Sequence, residues 1–282
     1  MYLLNCKSLL DMKIVVKANG GLGNRMRVIA SSIALSQRLK TTVEVLWINN
    51  VALNCSFFYL FQKLDDIEIV ESVYIKSWNK IAHRQRRKKL WNTYRNFDIQ
   101  LNDEGLKSLS SSQNDLLEHI KDAETVFIDT CQHFYGDLSC LSYLIPADGI
   151  AETAKIRLSE TGGAYIGVHI RRGDNTMSKA NSPTALFIQT LKNEQKRNAD
   201  IKFYLATDDR GEAKILKKVI GESIVYYPSE LARKRPEGIQ QALVDLILLS
   251  NAKKIIGSYW SSFTEVASVY GNIPLEVMKS EE

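Results

Sequence analysis

The stretch Ala164-Tyr165-Ile166-Gly167-Val168-His169-Ile170-Arg171-Arg172-Gly173-Asp174 decides the fold. Its apolar beginning is bounded upstream by Gly162-Gly163 and reads as a buried strand, Ala164–Ile170. Two adjacent guanidiniums follow at the C-terminal end of that strand. In open α/β sheets this is the edge where ligands bind, and paired cations there are costly unless an anion meets them. Arginine's planar fork of donors suits a phosphate better than lysine's point charge does. The stretch therefore points to a parallel sheet and a phosphate-bearing ligand together.

Downstream, the pattern repeats. A helix is expected over Pro183–Arg197, a strand over Ile201–Ala206, a helix over Gly211–Val219 and a strand over Ser223–Tyr227. Helix Glu237–Ser250, strand Lys254–Gly257 and helix Ser262–Tyr270 follow, and Pro274–Val277 closes the series. Such alternation predicts a parallel sheet covered on both faces. The first half gives one clear unit: strand Lys13–Ala18, glycine turn Asn19–Asn24, helix Arg25–Leu39 and strand Thr42–Ile48. Between 50 and 125 the periodicity fades. Val126–Asp129 reads as a strand and Pro146–Gly149 as a turn. The expectation is an α/β chain of two Rossmann-like domains, 12–150 and 151–282, with parallel sheets facing a central cleft.

A chain of 282 residues can form one large domain or two ordinary ones. With 45% hydrophobic and 24% charged residues it has the composition of a soluble globular protein. No apolar run approaches the ~18 residues that cross a bilayer. The first eleven residues are too short and interrupted for a signal peptide; Met12 opens a cleaner beginning, and 1–11 read as an upstream start or a loose tail. Cys6, Cys55, Cys131 and Cys140 form no Cys-x-x-Cys pair, so reduced structural thiols in the cytoplasm and no zinc site are expected. The net charge of +5 favours acidic ligands without demanding nucleic acid.

Other stretches carry chemistry. Gly20-Gly21-Leu22-Gly23-Asn24-Arg25 follows a strand and opens a helix, where glycines let backbone approach a phosphate. Met26 stands where a dinucleotide fingerprint needs its last glycine, and Asn24 has an amide that can donate to a ligand oxygen. Asp174 can pair with Arg171 or Arg172, but two arginines outnumber one acid, leaving a guanidinium for a ligand. Thr207-Asp208-Asp209 ends a strand in two carboxylates open to three readings: a metal site, contact with a nucleoside, or a cap for the helix opening near Gly211. Asp245, inside the apolar run Ala242–Leu249, must be paired or neutral; it accepts from guanine's two adjacent donors or forms a salt bridge. Ser261, Ser262 and Phe263 open a helix in which Ser262 and Glu265 have capping-box spacing, and a diphosphate fits the same N-terminus. The basic run His83–Lys89, bracketed by Trp78 and Trp91, is open to three readings: a solvated helix face, a peripheral contact with an anionic membrane or acidic acceptor, or a nucleic-acid contact.

Taken in chain order, these stretches resemble the GDP-fucose-dependent fucosyltransferase superfamily. The residues carrying the resemblance are Gly20–Asn24, His169–Asp174, Ala206–Asp209 and the span from Asp245 to Glu265. It implies a GT-B fold and inverting transfer of fucose from GDP-β-L-fucose to a glycan hydroxyl, with no cofactor and no metal. The donor would lie mainly on the C-terminal domain, leaving the N-terminal domain to the acceptor. Arg171 and Arg172 would face the diphosphate as the catalytic pair. Gly21, Gly23, Asn24, His169, Asp174, Asp208, Asp245, Ser261, Ser262 and Phe263 would line the donor, with Asn24 reaching across the cleft. One departure stands out. Ten positions after His169, where some relatives have an acid, this chain has Lys179, and 175–182 holds no acid. A transferase using another nucleotide sugar, or a binding protein without turnover, fits the same residues.

Overall fold

The computed structural model describes residues 12–72, 96–111, 115–228 and 234–280. The tail 1–11, Cys6 and the basic run 83–89 lie outside them. The chain divides into two compact units, one of Met1–Phe57 and Lys63–Leu144, the other of Phe58–Gln62 and Ile145–Glu282.

The first unit carries β1 (Lys13–Ala18), α1 (Leu22–Leu39), β2 (Val43–Ile48), β3 (Ile67–Ser72), β4 (Ile99–Asn102), α2 (Asp103–Ser111), α3 (Leu116–Ile120) and β5 (Thr125–Thr130). Its five strands pair in parallel in the order β3-β2-β1-β5-β4. The fading periodicity of 50–125 conceals β3 and β4. Both sit at sheet edges, where one flank is open and the apolar pattern relaxes. Helix α1 starts earlier than Arg25, because Gly23 and Asn24 belong to its first turn.

The second unit carries α4 (Asp148–Glu160), β6 (Tyr165–Ile170), α5 (Thr176–Asn181), α6 (Thr184–Arg197), β7 (Lys202–Thr207), α7 (Arg210–Ile220), β8 (Ile224–Val225), α8 (Pro236–Ser250), β9 (Ile255–Ser258), α9 (Ser262–Gly271) and β10 (Leu275–Met278). These strands too are all parallel, in the order β10-β9-β6-β7-β8. The 13-residue α4 begins within the expected turn 146–149, and the six-residue α5 occupies the expected loop 175–182. In the loop, Asn175 seeds α5 by accepting from Ser178 N at 2.9 Å. Phe58–Gln62 joins this unit by main-chain bonds: Gln62 N donates to Ile145 O and Ala147 N to Leu60 O, each at 2.9 Å.

Strand β6 is central and buried along its whole length. Successive side chains alternate between faces. Ile166, Val168 and Ile170 join Phe203, Leu205 and Ile256 beneath Phe187 and Leu191 of α6 and Leu216 of α7. The other face meets α8 and α9. Tyr165 donates its hydroxyl to Leu248 O at 2.6 Å, Gly167 lies against Leu249 and Ala252, and His169 meets Thr264 of α9. Close approach is built into this face. A β-carbon at Gly257 would stand 2.1 Å from Thr264 Cγ2, and one at Gly271 would stand 2.0 Å from the Ser250 carbonyl oxygen. That oxygen is backbone and cannot swing aside. Gly271→Ala is expected to destabilise the protein by about 1–3 kcal/mol, seen as a lower urea midpoint by fluorescence; an unchanged midpoint rules out the tight α8–α9 contact.

Candidate functional site

In the second sheet the chain runs outward from β6 on both sides, to β7 and β8 one way and to β9 and β10 the other. The topological switch point therefore lies between β6 and β9, where open sheets leave a crevice outside the strand ends. The exit of β6 is Arg171–Asp174 and the exit of β9 is Tyr259–Ser262. Two motifs about ninety residues apart in sequence thus meet at one edge. Arg171 N donates to Ser258 Oγ at 2.9 Å, and Ser178 Oγ donates to Arg171 O at 2.8 Å, so the Arg171 backbone is clamped from both sides.

The two arginines differ. Arg171 continues the alternation toward the α9 face and forms ion pairs with Asp208 and Asp174. Asp208 is 23% exposed in its side chain and also accepts from Arg172 N at 2.7 Å; Asp174 is 72% exposed. Arg172 turns to the opposite face and is buried. Its Nε donates to Glu212 at 2.6 Å, its Nη1 to Arg171 O at 3.1 Å and its Nη2 to Thr184 Oγ1 at 3.1 Å. Every nitrogen of that guanidinium has a protein acceptor. The expectation that one acid meets two arginines is thereby corrected, because Asp208 and Glu212 join Asp174. Arg172 braces the site from below, and Arg171 is the cation at its surface. Gly173, with φ of 25°, is required here: a β-carbon would meet Asp208 Oδ2 at 2.6 Å.

Helix α9 starts at the same edge. Its N-cap is Ser261, whose side chain makes no capping bond. The Ser262–Glu265 capping box is therefore replaced, with Thr264 at the third helical position. Thr264 Oγ1 lies 2.6 Å from His169 Nδ1, and the Phe263 ring stands 4.8 Å from the imidazole at a tilt of 38°. Burial, helped by the Arg171 charge, pushes the His169 pKa down to about 3. The imidazole is neutral at physiological pH and anchors α9 beside the arginine loop. Ahead of the helix, Trp260 has a left-handed backbone, φ 58°, which costs about 1–3 kcal/mol for a residue other than glycine.

The adjacent acids part ways. Asp209 caps α7, accepting from Gly211 N at 2.6 Å and Glu212 N at 3.2 Å. Asp208 serves the arginines. The metal and nucleoside readings find both residues engaged in this way. Asp245, on α8, accepts at Oδ1 from Tyr204 Oη at 2.8 Å and Gln241 Nε2 at 2.6 Å, with Arg157 Nη1 4.0 Å away. None of these reaches Oδ2. Burial raises the Asp245 pKa to about 6, while Tyr204, Gln241 and Arg157 hold it back. Lys179 is exposed on α5.

In the first unit, Gly20 has φ of 81° and a β-carbon there would lie 2.5 Å from Asn24 Nδ2. Gly21 N-caps α1 without a side-chain bond. Asn24 accepts from Arg27 Nη2 at 2.9 Å, which leaves its Nδ2 outside that bond. Arg25, to which sequence reasoning gave no role, is fully buried. It stands 4.7 Å over the Trp47 ring, donates through Nε to Gly20 O at 3.1 Å and through Nη2 to Ile48 O at 2.8 Å. Burial lowers its pKa to about 10, so it remains charged and ties the glycine turn to β2. Sequence reasoning also passed over Glu212, Thr264, Tyr204 and Arg157. The signal for Glu212 was its seat at the third position of α7, three residues past the Asp209 cap, on the face the strand alternation assigns to Arg172.

Solved structures share this fold. NodZ α-1,6-fucosyltransferase, soaked with GDP-fucose, matches with a TM-score of 0.63 at 17% identity over 92% of each chain. POFUT1 in its apo form matches with a TM-score of 0.59 at 11% identity, over 95% of this chain and 98% of that one. GDP-fucose protein O-fucosyltransferase 2 of Caenorhabditis elegans is 34% identical over 113 residues, 39% of this chain. That match spans 26% of the relative's length. No protein-family model matches the chain. The two parallel α/β sheets are thus those of the GT-B fold, as the sequence led one to expect, and the resemblance to GDP-fucose-dependent fucosyltransferases extends to structure.

Arg172 and Glu212 are both buried, with side chains 9% and 11% exposed. Removing one partner strands the other, at a cost of about 3–5 kcal/mol. Arg172→Ala is expected to lower unfolding stability by that order and Arg171→Ala by much less, both measured in urea. Equal losses would show that Arg172 is no more structural than its neighbour.

Proposed function

We propose that this chain is an inverting, metal-independent glycosyltransferase that moves fucose from GDP-β-L-fucose to a glycan hydroxyl. The observation that carries this is the meeting, at one sheet switch point, of the Arg171 loop, tied to β9 by Arg171 N on Ser258 Oγ, with the start of α9, whose N-cap Ser261 makes no side-chain capping bond. Free N–H groups and the helix dipole favour anions, and arginine adds a forked donor. The second unit is the donor domain, and the first, 12–150 by its sequence limits, serves the acceptor. Oδ2 of Asp245, free of the bonds made by its partner oxygen, accepts from guanine. Likeness to proteins solved with GDP-fucose supports the choice of donor.

In the transfer, an acceptor oxygen attacks the fucose anomeric carbon from the face opposite the phosphate. The carbon–oxygen bond to the β-phosphate breaks, and GDP leaves with the electron pair. Arg171 and the α9 amides, augmented by Ser261 and Ser262, stabilise the charge that develops on the leaving oxygen. For this role Arg171 turns from the exposed Asp174 toward phosphate while keeping the better-held Asp208. With Lys179 in place of an acid, the acceptor proton leaves late, to a phosphate oxygen or water. The protein acts in the cytoplasm, and segment 83–89 provides peripheral contact with the inner membrane face. No described helix is long and apolar enough to cross a membrane.

Arg171→Ala is expected to lower turnover of GDP-fucose by about 10²–10³-fold while the far-ultraviolet circular dichroism is kept; undiminished turnover in that variant refutes the clamp. GDP should raise the melting temperature more than UDP or ADP does, and a preference for UDP points to another nucleotide sugar. Donor hydrolysis without acceptor separates a transferase from a binding protein, the reading that Lys179 favours.

Asp245 supplies a pH test. Its folded-state pKa, about 6, lies above the ordinary 3.8. Its neutral form is therefore stabilising below about pH 3.8, and that contribution is lost as pH rises through 6. A ligand that donates to the carboxylate gains over the same interval. GDP affinity should rise from pH 5 to 7 more steeply in the native protein than in Asp245→Asn, by calorimetry. GDP's own phosphate titrates in both, so parallel slopes would remove Asp245 from the guanine site.

A further inference from the structure

Trp260 stands at this switch point with no part in the donor reading. It is 68% exposed, on a left-handed backbone. Glycine would take that φ freely, yet the sequence accepts strain to hold a large aromatic in water. The surroundings fix it there. Asn175 Nδ2 donates to Trp260 O at 2.9 Å, while the same amide's oxygen caps α5. Tyr259 N is bound to Ser182 Oγ at 2.8 Å, and the next residue but one begins α9. The Tyr259 ring braces the indole at 5.9 Å and is itself covered by Lys279 Nζ at 5.0 Å.

The indole therefore stands on a fixed backbone beside Ser261, the N-cap of the helix to which the transferase reading assigns the phosphate. An indole face is flat, apolar and electron-rich. A pyranose ring has one face of polarised C–H bonds and keeps its hydroxyls at the rim, so it stacks on such a plate without giving up hydrogen bonds. The guanine end is assigned to Asp245, within helix α8. The plate opens to solvent, so what covers it arrives from solution. We infer that Trp260 is the stacking platform for the acceptor sugar and a determinant of acceptor specificity. This rests on the transferase reading of the site.

The test measures binding of a panel of neutral oligosaccharides to the full chain with GDP present, by saturation-transfer NMR and calorimetry. At least one sugar should bind. Trp260→Ala should weaken it at least about tenfold, Trp260→Phe should keep most of the affinity, and GDP affinity should stay within about twofold in both. Trp260→Gly should keep or raise the melting temperature, since only strain is lost. The proposal is overturned if no sugar binds the native protein, if Trp260→Ala binds as well as native, or if GDP affinity falls in step. A melting temperature more than about 5 °C lower in Trp260→Gly also overturns it, because the indole is then a packing residue. Sugar binding that needs Trp260, with no consumption of GDP-fucose, would refute fucosyl transfer and leave the sugar platform standing.

Discussion

Everything at this site depends on the two-residue period of an extended chain. Ile170 ends β6 pointing to the α6–α7 face, so Arg171 and Arg172, one step apart, leave the strand toward opposite sides. One side holds Glu212 and Thr184 in a buried pocket, and the other holds Asp208 and Asp174. Two identical side chains acquire different partners because the pleat separates them. Arg172 is satisfied at every guanidinium nitrogen by protein and fixes the loop; Arg171, its side chain 14% exposed, ends in two ion pairs, one of them to the open Asp174. The conformation of Gly173 lets Asp208 sit close enough to hold both.

His169 and Thr264 carry the same logic across the switch point. His169 faces the missing side chain of Gly257, its partner in the β6–β9 register, and that gap lets Thr264 descend to the imidazole. Helix α9 is thereby seated by a buried neutral hydrogen bond instead of by a capping side chain. Its N-cap, Ser261, makes no side-chain capping bond, so the helix is held by its third residue and not by its cap.

The regular second half was legible because its inner strands β6, β7 and β9 are buried and its longer helices carry full periodicity. The strand expected over Ser223–Tyr227 keeps only two residues, as β8. α5 was missed, a six-residue turn of helix seeded by Asn175 and too brief for any period to register. In the site, the residue types were legible but their partners were not. Asp209 was foreseeable as a cap from its place before Gly211, whereas the split of Asp208 from Asp209 follows from tertiary pairing with two arginines. Arg25 shows the limit most clearly. An arginine after a glycine turn carries no local signal of burial, yet its guanidinium lies over Trp47 and its Nε closes the turn from inside. That arrangement depends on β2 lying next to β1, which no local pattern states.

Phe58–Gln62 has a further consequence, for synthesis. These five residues leave the ribosome early but belong with Ile145 and Ala147, which emerge more than eighty residues later. The leading unit must fold around a segment it does not use, and the trailing unit is complete only once that segment is recovered. The order of translation is thus at odds with the order of assembly. A chain split at the visible midpoint would give a trailing half without this segment, so the two halves are inherited as a single folding problem.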